Sequence, residues 1–161
     1  MSLRPATVTD CALLATLHAA SFDDPWSGEA FAALLGAPGA SAYLAEADGK
    51  AAGFILVREA AGEAEILSLG VKPEARRQGL ARSLVLAAAK AIVANGSQIL
   101  FLEVASDNLA ARGLYGSLGF AEVGRRLAYY TKPGAPAHDA LILKARLPLE
   151  AARMGICRQL D

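Results

Sequence analysis

The segment Arg76-Arg77-Gln78-Gly79-Leu80-Ala81 holds the densest set of residues suited to chemistry in this chain. Glu65 to Val71 reads as a strand, the next residues as a short loop rich in N–H donors, and Leu80 onward as a helix. The free N–H groups of a first helical turn point outward, and the helix dipole favours negative charge there. Gly79 has no Cβ to obstruct a ligand approaching the backbone. Arg76, Arg77 and Arg82 add positive charge around the same spot. The chemistry implied is the binding of a phosphorylated small molecule.

The elements that must position this loop follow from periodicity and turn signals. Leu3 to Thr7 reads as a first strand. Asp10 to Ser21 reads as a helix, capped near Thr9 or Asp10, with Leu13, Leu14 and Leu17 on one face. Asp24-Pro25-Trp26-Ser27 breaks it, and Ser27 can cap a second helix reaching Leu35. Two strands, Ser41–Ala47 and Ala51–Glu59, meet at Asp48-Gly49, a strong hairpin signal. A turn at Ala61-Gly62-Glu63 leads to the strand Ala64–Val71. After the loop come a helix from Leu80 to Asn95, closed by Gly96, and the apolar strand Gln98–Val104. Asn108–Leu118 is a helix ended by Gly119. Strands at Phe120–Val123, Leu127–Thr131 and Ala140–Leu147 complete the sheet. The order implies an α/β fold with a mixed sheet rather than a doubly wound one. The crossover from Val71 to Gln98 makes Glu65–Val71 and Gln98–Val104 parallel. Residues 1–148 read as one domain and 149–161 as a tail, one more helical turn or disorder.

Composition narrows the function classes. The 161 residues balance 16 basic against 16 acidic side chains, which argues against nucleic-acid binding through a bulk field. Cys11 and Cys157 form no CxxC pair and read as ordinary thiols, and two histidines make a histidine-rich metal site unexpected. Met1-Ser2-Leu3-Arg4-Pro5 has no apolar h-region, and Ser83–Ala94 is too short to span a bilayer. A cytoplasmic protein without membrane partners is the expectation.

With these residues in view, the chain resembles the GNAT acyltransferases that use acetyl-coenzyme A. Their signature Gln/Arg-x-x-Gly-x-Gly/Ala stands here as Arg76-Arg77-Gln78-Gly79-Leu80-Ala81, in the strand–loop–helix setting it requires. A second motif, N-x-x-A…L-Y-x-x-x-G-F, matches Asn108-Leu109-Ala110-Ala111 through Leu114-Tyr115 to Gly119-Phe120. Leu102-Glu103-Val104, Pro25-Trp26-Ser27, Arg126-Leu127-Ala128-Tyr129-Tyr130 and Asp139-Ala140 resemble the RimI-type subgroup. Those enzymes acetylate the N-terminal alanine of a small-subunit ribosomal protein. The subgroup often has Arg two residues after the Glu, where this chain has Ala105.

The resemblance implies acetyl transfer from acetyl-CoA to an amine, with no metal. It makes Glu103 the candidate base, acting through a water, with partial burial at a strand end raising its pKa. Read alone, Glu103 is an ordinary salt-bridged strand-end carboxylate. Tyr115 is the candidate acid for the coenzyme A sulfur. It lies two helical turns beyond Asn108, on the same side, and read alone it is a core ring with its hydroxyl at the rim. Asn108 fits a cofactor ligand, a helix N-cap, or both. Gly70 suggests a bulge that splays the parallel strands, so that Leu69, Gly70 and Val71 offer main-chain groups to the pantetheine arm. Trp26 and Ser27 would line one wall of a peptide groove, and Tyr129 and Tyr130 the other. Trp26 reads equally as core, and the tyrosines as alternating strand residues. A small amine or lysine acceptor keeps the same fold, and a non-catalytic acyl-CoA sensor remains a different class. Glu103 and Tyr115 together favour turnover.

Overall fold

The computed structural model describes residues 1–150. Most of the expected tail, with Cys157, lies outside the described residues. The chain runs β1 (Ser2–Ala6), α1 (Cys11–Ser21), α2 (Gly28–Gly36), β2 (Ala40–Ala47), β3 (Lys50–Ala60), β4 (Glu63–Val71), α3 (Leu80–Ala94), β5 (Ile99–Ala105), α4 (Leu109–Ser117), β6 (Ala121–Tyr130) and β7 (His138–Arg146). The strands form one mixed sheet in the order β1-β2-β3-β4-β5-β7-β6.

Turn chemistry fixes the hairpins. Asp48 and Gly49 have φ of 51° and 73°, and Ala61 and Gly62 have 52° and 80°. Two positive φ angles in succession match the right-handed twist of the flanking strands. The central strand β3 is buried on both faces. Ile55 and Val57 pack with Leu84, Val85, Ala88 and Ile92 of α3. Phe54 and Leu56 pack on the opposite face with Leu14, Leu17 and Phe31 of α1 and α2. Each of these fully buried side chains contributes about 1.5–3 kcal/mol of transfer free energy. Leu147 and Leu149 also pack into the α3 side of the core, so the packed chain continues past Pro148.

The parallel pair is short. Only Glu63–Glu65 of β4 pair with Ile99–Phe101 of β5. Beyond Glu65 and Phe101 the strands part. The bulge that accompanies this parting is not at Gly70. Gly70 stays in register with Phe54, while Leu56 pairs with Ser68 and Val57 with Ile66, which leaves Leu67 as the extra residue. A bulge bends its strand and adds local twist. Gly70 has a different role. A Cβ there would stand 2.7 Å from Phe54 Cε1 and 2.9 Å from Ser21 Oγ. The glycine lets α1 and β3 approach the strand closely.

The two strands expected at Phe120–Val123 and Leu127–Thr131 are one, because β6 stays paired to β7 through two irregularities. Arg126 pairs with Ala140 and Tyr130 with His138, so Leu127, Ala128 and Tyr129 stand opposite Asp139 alone.

Candidate active site

Where β4 and β5 separate, a cleft of about 430 Å³ opens. Leu69, Gly70 and Val71 line one side, the loop Arg76–Arg82 the end, and Asn108 with the first turns of α4 the other side. Of the residues expected to bind cofactor, Gln78 alone does not line it.

The loop has the properties of an anion site. Ser83 N–H donates to Gly79 O at 3.0 Å, which leaves the amides before it at the helix start without that partner. Gly79 has φ of 83°, and a Cβ there would meet nothing within 4 Å, so the backbone is open where a ligand would lie. The three arginines differ. Arg76 Nε donates to Val71 O at 3.0 Å and braces the loop. Arg82 Nη1 donates to Ser117 Oγ at 3.2 Å and ties α3 to α4. Arg77, exposed and itself at φ 63°, lines the cleft without such a brace among the described residues. Asn108 lines the cleft, and its Oδ1 accepts Ala111 N–H at 3.1 Å as the N-cap of α4.

Ser21 and Phe22 at the end of α1 also line the cleft, as do Ala110, Ala111 and Leu114 of α4. No motif in the sequence marks Ser21 or Phe22; they arrive because Gly70 lets the end of α1 rest on β4. Ser21 Oγ stands 3.4 Å from Val71 O, to which it donates.

Tyr115 lies one turn beyond Ala111 but does not line the cleft. It is 4% exposed, with its ring edge-on to Phe120 at 5.3 Å. Burial pushes the phenol well above its ordinary pKa, so the group keeps its proton.

Glu103 lies two residues past Phe101, the last residue of β5 paired to β4, at the lip of the gap, and itself pairs with Ile142 of β7. It is partly buried, as expected at a strand end. Its side chain is 27% exposed, and Oε1 stands 3.0 Å from Arg126 Nη2 on β6. Arg126 also lies over the Tyr129 ring at 5.4 Å from its centroid. Tyr130, 39% exposed, has its pKa raised first by partial burial and then by the Glu103 charge. Tyr129 and Tyr130 meet edge to face at 5.2 Å. Glu103, Arg126, Tyr129 and Tyr130 therefore form one cluster.

The other expected wall is mostly structural. Trp26 stacks on His18 at 4.7 Å and leans on Phe31 at 5.6 Å. Its backbone N–H donates to His18 Nδ1 at 3.1 Å. Ser27 Oγ accepts Ala30 N–H at 3.1 Å as the N-cap of α2. Both residues shape the loop, and Asp23 of that loop pairs with Lys132 beyond β6.

The sequence profile described as "Acetyltransferase (GNAT) family" matches residues 12–120. The chain belongs to the GNAT acetyltransferase family. It is 37% identical over 120 residues to the [ribosomal protein bS18]-alanine N-acetyltransferase of Escherichia coli K12, covering 74% of this chain and 79% of that protein. It is 36% identical over 138 residues to the N-alpha-acetyltransferase RimI of Mycobacterium tuberculosis, covering 82% and 85%. The crystal structure of the ribosomal-protein-S18-alanine N-acetyltransferase from Escherichia coli superposes with a TM-score of 0.83 at 30% identity, covering 90% of this chain and 92% of that one. A GNAT acetyltransferase takes its acetyl group from acetyl-CoA, and the open glycine backbone, the unpaired helix amides and Arg77 suit the phosphates of that cosubstrate. Among the described residues no group of three His, Cys, Asp or Glu is placed to hold a metal ion, and no helix is long and apolar enough to cross a membrane.

Proposed function

We propose that this GNAT acetyltransferase acts on the α-amine of a protein N-terminus in the cytoplasm, with the N-terminal alanine of a small-subunit ribosomal protein as the acceptor. The observation that carries the reading is the cluster of Glu103, Arg126, Tyr129 and Tyr130 at the open end of the β4–β5 gap. It stands beside the cofactor cleft in a chain similar along most of its length to bS18-alanine acetyltransferases.

The roles follow from the positions. Acetyl-CoA supplies an activated thioester, and no metal is needed. The α-amine, with an ordinary pKa of about 7.7–8.0, must shed a proton before it attacks. Glu103 takes that proton, directly or through one water. The carbon–nitrogen bond forms as the carbon–sulfur bond breaks. The family resemblance, rather than position, assigns Tyr115 to the departing sulfur; one turn beyond the cleft-lining Ala111, it would donate a hydrogen bond there, since its raised pKa disfavours full transfer of the phenolic proton. Arg126 holds the Glu103 carboxylate in one orientation. The tyrosine pair and the Trp26 loop bound the space for the first side chain, and a large one is rejected by shape.

The test is a comparison of kcat/KM for peptides beginning with Ala, beginning with Phe, and N-blocked but containing Lys. The Ala peptide is expected to lead. A blocked Lys peptide or a small polyamine as the better acceptor would overturn the acceptor assignment and leave the family standing. Failure to release coenzyme A thiol with any acceptor would make the chain an acyl-CoA sensor.

A further inference from the structure

We propose that Asp139 is a positioning residue: its carboxylate captures the Ala128 amide and so fixes the bulge that brings Arg126, Tyr129 and Tyr130 to Glu103. The proposal rests on the acceptor reading above.

The bulge has no support of the usual kind. Leu127, Ala128 and Tyr129 have no ladder partners on β7 other than the single residue Asp139. Ala128 has φ of 51°, a left-handed conformation unfavourable for a residue with a Cβ. Such a conformation persists only where its surroundings over-determine it. The side chain of Asp139 supplies what the ladder does not. Oδ1 accepts Ala128 N–H at 2.8 Å, and Oδ2 accepts from Arg125 Nη1 at 2.9 Å. One carboxylate thus holds the middle of the bulge and Arg125, two residues before the bulge starts. The same two donors keep its pKa below the usual carboxylate range, Ala128 N–H first. The backbone of Asp139 is anchored as well, because its carbonyl accepts Ser106 N–H at 2.9 Å just past β5. Asp139 therefore couples β6 to the end of the strand that carries Glu103.

The register shows what the clamp achieves. With Leu127, Ala128 and Tyr129 thrown out of the ladder, Arg126 and Tyr130 both remain paired to β7. Arg126 also faces Glu103 through its ion pair, and Tyr130 lies edge-on to Tyr129, over which Arg126 rests. Without the clamp, the strained Ala128 relaxes and the spacing between Arg126 and the tyrosines changes. The cofactor cleft is lined by other elements and is untouched.

The experiment compares D139A, D139N and D139A/A128G with the unaltered protein. Steady-state kinetics on an Ala-first peptide and calorimetry with acetyl-CoA give the two readouts. D139A is expected to raise the peptide KM by about tenfold or more, the size expected for losing a charge-assisted hydrogen bond. Affinity for acetyl-CoA is expected to stay unchanged. D139N keeps a side-chain carbonyl for Ala128 and should retain a peptide KM near that of the unaltered protein. Adding A128G to D139A removes the cost of positive φ and should recover part of the loss. An unchanged peptide KM in D139A overturns the proposal. So does an equal loss of acetyl-CoA affinity that A128G does not rescue, which would mark a merely structural residue. D139S replaces D139A if the latter does not fold, and the same split is required of it. Amide exchange at Ala128 separates this proposal from the acceptor reading. If the unaltered protein acetylates no peptide α-amine, the acceptor reading fails, and slow exchange at Ala128 lost in D139A still supports the clamp. Exchange unaffected by D139A overturns it.

Discussion

Arg126 on the edge strand reaches across β7 to Glu103 on β5, Nη2 to Oε1 at 3.0 Å, although β5 and β6 are not neighbours in the sheet. With side-chain exposures of 54% for Arg126 and 27% for Glu103, the pair is too wet to contribute much stability. Its consequence is orientation. A carboxylate on a long, partly solvated side chain samples several rotamers, and a guanidinium resting on Tyr129 limits them. An approaching ammonium would compete for the same carboxylate oxygens, so the pair also lies where acceptor and protein exchange partners.

Glu103→Gln is expected to lower kcat by about 10²–10⁴-fold, the usual contribution of a general base. Binding of acetyl-CoA should not change, because Glu103 does not line its cleft. Activity should recover in part at high pH, where the α-amine deprotonates unaided. Arg126→Ala should lower kcat by a smaller factor, with Arg126→Lys intermediate. A Glu103→Gln variant with ordinary kcat at pH 7 would remove the base from the mechanism.

Tyr115→Phe is expected to reduce kcat and leave acetyl-CoA affinity in place. The sign of the pKa shift adds a second expectation. Burial raises the folded-state pKa of the phenol above its unfolded value of about 10. Tyr115 therefore stays protonated in the folded enzyme across neutral and mildly alkaline pH, and its ionisation should impose no descending limb on kcat below about pH 10. The associated stability is fully present below that value and is lost as pH rises further. A descending limb between pH 8 and 9.5 that disappears in Tyr115→Phe would contradict this assignment.

Gly70→Ala tests why the glycine is there. A bulge would accept a methyl group; the close approach of Phe54 and Ser21 would not. The substitution is expected to cost about 1–3 kcal/mol, as overpacking typically does, read as a lower midpoint in urea unfolding. It should also weaken acetyl-CoA binding by shifting Ser21 and Phe22. Gly79→Trp is the complement: open space surrounds that position, so the indole should fill the cleft and abolish cofactor binding in a protein that still folds, with a loss of about 1–2 kcal/mol for a Cβ at positive φ. Unchanged affinity in a folded Gly79→Trp variant would dismiss the loop as the phosphate site.

The contrast between these glycines shows where the sequence was readable. Gly79 lies in a local motif, strand to loop to helix, and a local motif carries its own geometry. The hairpins at Asp48-Gly49 and Ala61-Gly62, the crossover through α3 and the Asn108 cap were legible for the same reason. The reason for Gly70 was not, because the atoms that require it belong to Ser21 and Phe54, far away in sequence. Arg126 and Glu103 were both visible, but their pairing depends on β7 lying between β5 and β6. The bulge opposite Asp139 was read as regular strand within Leu127–Thr131, and the paired residues Gly124–Arg126 as a break, because the residue that holds the bulge comes from the next strand. Trp26 and Ser27 were given to the acceptor groove, and the structure shows first that they organise a loop.

His18 gives that loop a dependence on acid. The ring is 3% exposed and lies between Phe22 at 4.3 Å and Trp26 at 4.7 Å. Its Nδ1 accepts the Trp26 backbone N–H, so the imidazole must be neutral with its proton on Nε2. Burial lowers its pKa, and the nearby Asp24 charge opposes that only in part. The unfolded chain, with an ordinary histidine pKa of about 6.5, therefore binds a proton before the folded chain does. The corresponding stability is fully present above that value and is lost as pH falls through the folded-state pKa. A proton on Nδ1 would also set two donors against each other and push Trp26 away. Phe22 lines the cofactor cleft and Trp26 stacks on the same His18 ring, so one protonation loosens both. Lowering the pH from 7.5 to 5.5 should reduce Tm, and peptide KM should rise with it. His18→Asn keeps a side-chain carbonyl near the position of Nδ1 and cannot be protonated. It should have a lower Tm at pH 7.5 through lost stacking, with a flatter dependence of Tm on pH. An Asn variant that loses stability with acid as steeply as the unaltered protein would place the acid sensitivity elsewhere.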